Sequence, residues 1–337
     1  MASPFVDLAN TPAALTEMMV NCGLARADEI PTVQPLTGGV SSSISRVTVR
    51  SGSYCVKQAL PKLKVDKEWT VPIDRVFSEI AWLRIVDHIV PGHVPRIIGV
   101  DDAIGAFVME FLDSREFPNW KTMLFSGTAA AETAQHVASI LGRIHAATAG
   151  DPDVSKSFSN RGNFYLLRLE PYLLEAAKQH PDLADPLIAL IHSIQDHRLV
   201  LIHGDLSPKN ILIGPQGPVF LDAECACYGD PAFDVAFILN HFLLKSLAMP
   251  DARGRMAKLF NDFVREYFRH VAWEDPGKLE KRVAGLLPGL LLARVDGKSP
   301  VEYLSQSKRE QTRMAARYLL EFPQDNLSAF KDLWDTR

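Results

Sequence analysis

The strongest constraint on the fold lies between Val200 and Ile213. There Val200-Leu201-Ile202 runs into His203-Gly204-Asp205-Leu206-Ser207-Pro208-Lys209-Asn210 and leaves through Ile211-Leu212-Ile213. Two short apolar runs around a polar turn read as a strand entering the turn and a second strand leaving it. Strand ends are where a rigid scaffold aims polar side chains into a site. A turn whose Asp205 and Asn210 only satisfy local hydrogen bonds would look the same in isolation. The next segment weakens that plain reading, because Pro218-Val219-Phe220-Leu221-Asp222-Ala223-Glu224 is a further strand ending in two carboxylates. A hairpin from Ile213 to Val219 brings Asp222 and Glu224 beside Asn210. Two residues apart on an extended segment, Asp222 and Glu224 are expected to share a face. Oxygen ligands converging this way suit Mg²⁺, so Asn210, Asp222 and Glu224 are the expected metal set.

Asp230 and Asp234 follow in Gly229-Asp230-Pro231-Ala232-Phe233-Asp234. Either can cap a helix, and Asp234 is expected to hold the 203–210 loop through buried hydrogen bonds. Upstream, Thr37-Gly38-Gly39-Val40-Ser41-Ser42-Ser43 is a glycine- and serine-rich turn between strand-like runs. Gly38, Gly39, Ser41 and Ser42 there would let backbone N–H groups approach a phosphate closely. Lys57 lies on the next strand, and Glu79 lies on a helix expected from Asp74 to His88 with Asp74 as its N-cap. Lys57 and Glu79 are placed to pair, although each alone also reads as a surface charge. Phe107 to Leu112 closes the small half, where backbone groups of Glu110 and Leu112 would meet an adenine ring.

Strand-like runs at 44–50, 54–58, 95–100 and 106–112 precede helical spacing at 128–149, 164–180 and 183–197, and the chain is mostly helical from Phe233 onward. An amphipathic lead-in helix is expected at 11–24. This predicts an α+β, two-lobed architecture, with an N-terminal lobe at 1–112 and a C-terminal lobe at 113–337. The net charge of −4, with Lys and Arg scattered, argues against a nucleic-acid partner. No apolar run reaches the roughly 20 residues of a membrane span, and no signal peptide is visible, so a cytoplasmic location is expected. Cys22, Cys55, Cys225 and Cys227 form no metal or redox pattern and read as small apolar filler. Gly297-Lys298-Ser299 imitates the end of a phosphate-binding P-loop, but Leu292 occupies the required glycine position and a helix precedes it.

The Asp205-to-Asn210 spacing is that of a kinase catalytic loop, with Gly204 where protein kinases carry Arg. Taken in order, the glycine turn, Lys57, Glu79, the 107–112 strand, the 203–210 loop and Asp222-Ala223-Glu224 resemble the aminoglycoside phosphotransferase and choline kinase superfamily. Val56-Lys57-Gln58-Ala59-Leu60-Pro61 with Trp69, Asp74-Arg75 and Glu79 is similar to 5-methylthioribose kinases. So is Asp222-Ala223-Glu224-Cys225-Ala226-Cys227-Tyr228-Gly229. The chain departs from them in its glycine loop, and in offering only Arg294 where those enzymes present adjacent arginines. The resemblance implies a protein-kinase-like fold and transfer of the γ-phosphate of ATP to a hydroxyl of a small molecule. Asp205 would orient that hydroxyl, and Lys57 would hold the α/β-phosphates. A methylthioribose-like sugar is the expected acceptor. Another small alcohol, an aminoglycoside or a choline-like amine are the rivals, and a non-catalytic nucleotide-binding protein is the rival from another class. A homodimer is allowed by the same resemblance. Glu224 is followed too closely by Asp230-Pro231 to leave room for a protein-kinase activation loop.

Overall fold

The computed structural model describes residues 6–36, 41–64 and 69–336. Its N-terminal lobe is a five-stranded antiparallel sheet of β1 (Thr32–Pro35), β2 (Ser42–Val49), β3 (Gly52–Ala59), β4 (Ile97–Asp101) and β5 (Ala106–Glu110), in the order β1-β2-β3-β5-β4. The hairpin expected around Ser51-Gly52-Ser53 joins β2 to β3, with Val49 opposite Gly52.

The pleat decides what β3 presents to each side. Val56 joins Val47, Val49, Ala106 and Val108 in a cluster covered by Leu15, Met18 and Met19 of the lead-in helix Pro12–Asn21. Cys55 and Ala59 point the other way, into the main core with Ile80, Leu83 and Val86 of helix Arg75–Ile89. Lys57 shares that second face, which buries it against the helix that carries Glu79. Asp74 does stand at the N-cap of this helix, but its backbone is helical and its side chain makes no capping bond. It accepts instead from Asn163 Nδ2 at 3.1 Å.

The C-terminal part is helical around helix Pro231–Ala248, which is buried along nearly its whole length. Helices 253–268 and 276–296 pack on it, and helices 133–148 and 306–321 pack on those two in turn. Two small antiparallel pairs are set into this part. One is β6 (Val200–Ile202) with β9 (Cys227–Gly229), and the other is β7 (Ile211–Gly214) with β8 (Gly217–Phe220). The expected continuous helix over 164–180 is interrupted, because Tyr165–Leu174 is wound as a π-helix with Pro171 inside it. A proline lacks the N–H for an α-helical bond, and the wider turn accommodates it. The four cysteines are free, and three of them are buried. The apolar run within helix Pro276–Asp296 belongs to the core, and no described helix is long and apolar enough to cross a membrane.

Candidate active site

The 203–210 loop leaves β6 of one strand pair and enters β7 of the other, so a strand flanks it on each side as the apolar bracketing required. Asp234 clamps its start, accepting from the N–H groups of His203 at 2.7 Å and Gly204 at 2.8 Å. Asp230 caps the same helix through Ala232 N–H, so the two aspartates divide the roles. His203 is buried, and loss of hydration holds its imidazole below the usual range. Its Nδ1 accepts from Asp205 N–H, and its Nε2 faces the Leu221 carbonyl at 3.0 Å. A neutral ring protonated on Nε2 satisfies both contacts.

Gly204 has φ +75°, and a Cβ there would lie 2.6 Å from the Cys225 carbonyl oxygen. A side chain is excluded, so no residue can follow the protein-kinase pattern at this position. An arginine reaches Asp205 from elsewhere. Arg168, on the π-helix, donates Nε to the Gly204 carbonyl at 2.9 Å and sets Nη2 2.7 Å from Asp205 Oδ2. Asn210 Nδ2 bonds the same oxygen at 2.7 Å and the Asp205 carbonyl at 3.0 Å. Asp205 is thereby fixed from both sides while still lining the cleft.

The β7–β8 hairpin returns the chain so that Leu221 N–H meets the Asn210 carbonyl at 2.9 Å, which sets Asp222 immediately beyond Asn210. The extended geometry expected for 222–224 is not present. Asp222 has φ +68°, a left-handed conformation uncommon for a residue with a side chain, so the strand alternation that would give Asp222 and Glu224 a common face is broken there. Asp222 Oδ1 lies 2.5 Å from Lys57 Nζ, and Glu79 lies 2.7 Å from the same ammonium. Burial works against the charge on Lys57, but Asp222, Glu79 and Glu224 outweigh it and raise its pKa. Lys57 is held charged, and Asp222 is held ionised beside it. Glu224 lines the cleft too, with Oε2 2.9 Å from Arg75 Nε. The same guanidinium donates to the carbonyls of Ser41 and Leu60, tying the start of β2 to the 222–224 segment.

Ser41 lines the cleft, and Ser42 is buried at the first position of β2. Gly38 and Gly39 lie outside the described residues. Glu110 ends β5, donating its N–H to the Arg96 carbonyl, and Leu112 follows it. Neither lines the cleft. Among the described residues no group of three or more His, Cys, Asp or Glu side chains is spaced to hold a metal alone. The Leu221 N–H bond to the Asn210 carbonyl nevertheless keeps Asp222 next to Asn210, and both side chains carry oxygens. The amide of Asn210 is committed through nitrogen, and no donor to its Oδ1 is found among the described residues. Two such oxygens fit Mg²⁺, which completes its octahedron with water and phosphate rather than with a protein cage.

The cleft, of about 180 Å³, extends from Asp205, Asp222 and Glu224 to a helical wall of Tyr172, Phe237, His241, Lys245, Arg294 and Tyr303. Arg168, His241 and Lys245 are the residues that reading the sequence missed. Arg168 gives no local signal, since its partner lies 37 positions away. His241 and Lys245 do give one, as two titratable residues four apart, and four and eight beyond Phe237, in a mostly apolar helix.

The sequence profile of the phosphotransferase enzyme family (APH) matches residues 32–269. Methylthioribose kinase 1 of Oryza sativa subsp. japonica is 22% identical over 241 residues, which is 63% of this chain and 56% of that protein. The methylthioribose kinase of Geobacillus thermodenitrificans is 24% identical over 228 residues, 59% of this chain and 57% of that enzyme. The matched part thus spans just over half the length of these curated relatives. Among solved structures, Plasmodium vivax ethanolamine kinase superposes with a TM-score of 0.60 at 15% identity, covering 96% of this chain and 94% of that one. The amicoumacin kinase hAmiN gives 0.59 at 14% identity, covering 94% and 96%. These likenesses establish a kinase-like phosphotransferase fold, and with two thirds of its length under one profile the chain belongs to the phosphotransferase enzyme family.

Proposed function

We propose that this phosphotransferase is a small-molecule kinase, transferring the γ-phosphate of ATP to an alcohol. The observation that carries the reading is Asp205, held between Arg168 and Asn210 at the floor of a cleft that also receives Asp222. A carboxylate fixed this way can accept a hydrogen bond from an incoming hydroxyl, orient its lone pair toward phosphorus and take its proton late in transfer. Lys57, braced by Glu79, would hold the α/β-phosphates, the turn with Gly38, Gly39, Ser41 and Ser42 would cover them, and Glu110 and Leu112 would meet the adenine. Asn210 and Asp222 would hold Mg²⁺, with Glu224 behind them on Arg75. The metal, when bound, neutralises charge on the β- and γ-phosphates. Every group needed is an acid, an amide or a cation, which suits a reaction dominated by positioning and electrostatics.

On this reading residues 1–112 form the nucleotide lobe and 113–337 the catalytic and acceptor lobe, at work in the cytoplasm. The names of the curated relatives make a methylthioribose-like sugar the first acceptor to try. Lysines and an arginine on the helical wall disfavour choline-like amines and aminoglycosides, whose charge would be repelled.

The test is Mg²⁺-dependent ADP release with a panel of small alcohols, using Asp205→Asn as the control. Turnover should drop about 10³-fold in the variant while ATP still binds. Undiminished turnover in Asp205→Asn would remove Asp205 from the mechanism. Failure of the wild type to bind Mg-ATP would sink the kinase reading as a whole.

A further inference from the structure

The helical wall of the cleft carries charge for which phosphoryl transfer to a neutral alcohol has no use. Lys245 is 1% exposed, lies on the central helix Pro231–Ala248 and lines the cleft. Among the described residues it makes no ion pair and no hydrogen bond. Its ammonium instead faces the rings of Tyr303 at 5.0 Å and Phe125 at 5.5 Å. Arg294 reaches the cleft from helix Pro276–Asp296 and, among the described residues, donates only to neutral groups, the Tyr172 hydroxyl and Ser299. Its Nε, the Tyr303 hydroxyl and His241 Nδ1 are buried and have no partner among those residues.

The other cations of this wall are answered. Lys121 pairs with Glu302, and Lys298 lies 2.7 Å from Glu170. The acids on the opposite side are answered too, by Arg168, Lys57 and Arg75. Among the described residues the cations of the cleft without an ion pair are the exposed Lys209 near Asp222 and, on the helical wall, the pair Lys245 and Arg294. Burial, with Lys121 and Arg294 nearby, pushes the Lys245 ammonium down to about 7. A buried ammonium without a counter-charge is costly, and a bound anion removes that cost.

We propose that the acceptor carries, beside its reacting hydroxyl, an anionic group such as a carboxylate or phosphate, which Lys245 and Arg294 bind at the helical wall. This rests on the phosphotransferase reading of the cleft and narrows it to a class of substrate, the small hydroxy acids and phosphorylated alcohols. Lys245 supplies a point charge, Arg294 a planar donor and Tyr303 a hydroxyl that can complete the oxyanion's shell. The anion is then anchored on one wall while the hydroxyl is free to meet Asp205 on the other.

The experiment compares acceptors that share a carbon skeleton: glycerate with glycerol, ribonate with ribose, gluconate with glucose, and glycerol 3-phosphate with glycerol. Methylthioribose and choline serve as neutral and cationic references. Binding is measured by calorimetry on the Asp205→Asn protein saturated with Mg²⁺ and the non-hydrolysable analogue AMP-PNP, and turnover by ADP release from the wild type. At least one acid should bind and react at least about tenfold better than its neutral counterpart. Lys245→Met should raise the KM of that acid about tenfold or more, with the KM for ATP following the wild type. Arg294→Gln gives an independent second variant with the same expected split.

Three results would overturn the inference: no acid outranking its neutral counterpart, preference for methylthioribose or choline, or a Lys245→Met defect that falls on ATP. Turnover confined to neutral acceptors would do so while leaving the kinase reading intact. Acids that bind through Lys245 without any ADP release would uphold the anion site and remove the kinase reading.

Discussion

The two ends of the cleft treat charge in opposite ways. At the catalytic end each carboxylate has a cation against it, Arg168 on Asp205, Lys57 on Asp222 and Arg75 on Glu224. At the helical end Lys245 and Arg294 form no ion pair among the described residues, and the nearby Glu302 is taken by Lys121. A closed set of charges is rigid before any ligand arrives, which is what transfer chemistry asks of the groups that orient it. An open set would be relaxed by a ligand of opposite charge, so on the proposed reading binding there is selected by charge. That reading separates a part of the site for chemistry from a part for choosing the acceptor.

Opening the closed end should do the most damage. Arg168→Met leaves Asp205 held by Asn210 alone, and kcat should fall about 10²-fold with little change in KM for either substrate. Because Arg168 acts through Asp205, Arg168→Lys should recover part of the loss. If Arg168→Met turns over like the wild type, the closed end owes nothing to that pair. Gly204→Ala is a steric test of the same end, since the new methyl would strike the Cys225 carbonyl in a left-handed turn. It should cost at least about 2 kcal/mol in urea unfolding. An unchanged midpoint would mean that the loop has room to shift.

Closing the open end should have the smallest effect, and the opposite sign. In ligand-free protein Lys245→Met removes an unanswered buried cation and should raise the melting temperature by a few degrees. The Lys245 pKa is lower in the folded chain than in the unfolded one, so between pH 7 and pH 10 the unfolded chain binds more protons at this group. Stability should therefore rise with pH in that window, by about 1 kcal/mol per pH unit from Lys245. Lys121 and Arg294 depress the group, and Glu302 opposes them weakly. The Met variant should show a flatter profile, measured by thermal melts across that range. Parallel profiles would mean that Lys245 is answered by something other than ligand.

Much of the catalytic end was legible in the sequence because it is written locally. A lysine on a strand and a glutamate on the next helix suggested the Lys57–Glu79 pair, and the bracketed 203–210 turn announced Asp205 and Asn210. The expected clamp by Asp234 follows from the same economy, since two N–H groups at a strand end need an acceptor. Arg168 was not legible, because its contact depends on how a π-helix containing Pro171 docks on a loop far along the chain. The left-handed turn at Asp222 was hidden for a related reason, since no glycine marks it. Lys245 looked like one lysine within a mostly apolar helix, and only the tertiary packing that sets its ammonium against the rings of Tyr303 and Phe125 rather than a carboxylate shows otherwise.

The buried helix from Pro231 to Ala248 carries Asp234 near one end and Lys245 eleven residues later, about 16 Å along its axis. The clamp on the 203–210 loop and the side chain proposed to meet the acceptor are thus mounted on one stiff ruler. Phe237, His241 and Lys245 recur every four residues along the edge that meets the cleft. Appetite for a different acceptor can be rewritten along that edge, graduation by graduation, without disturbing the zero mark at Asp234.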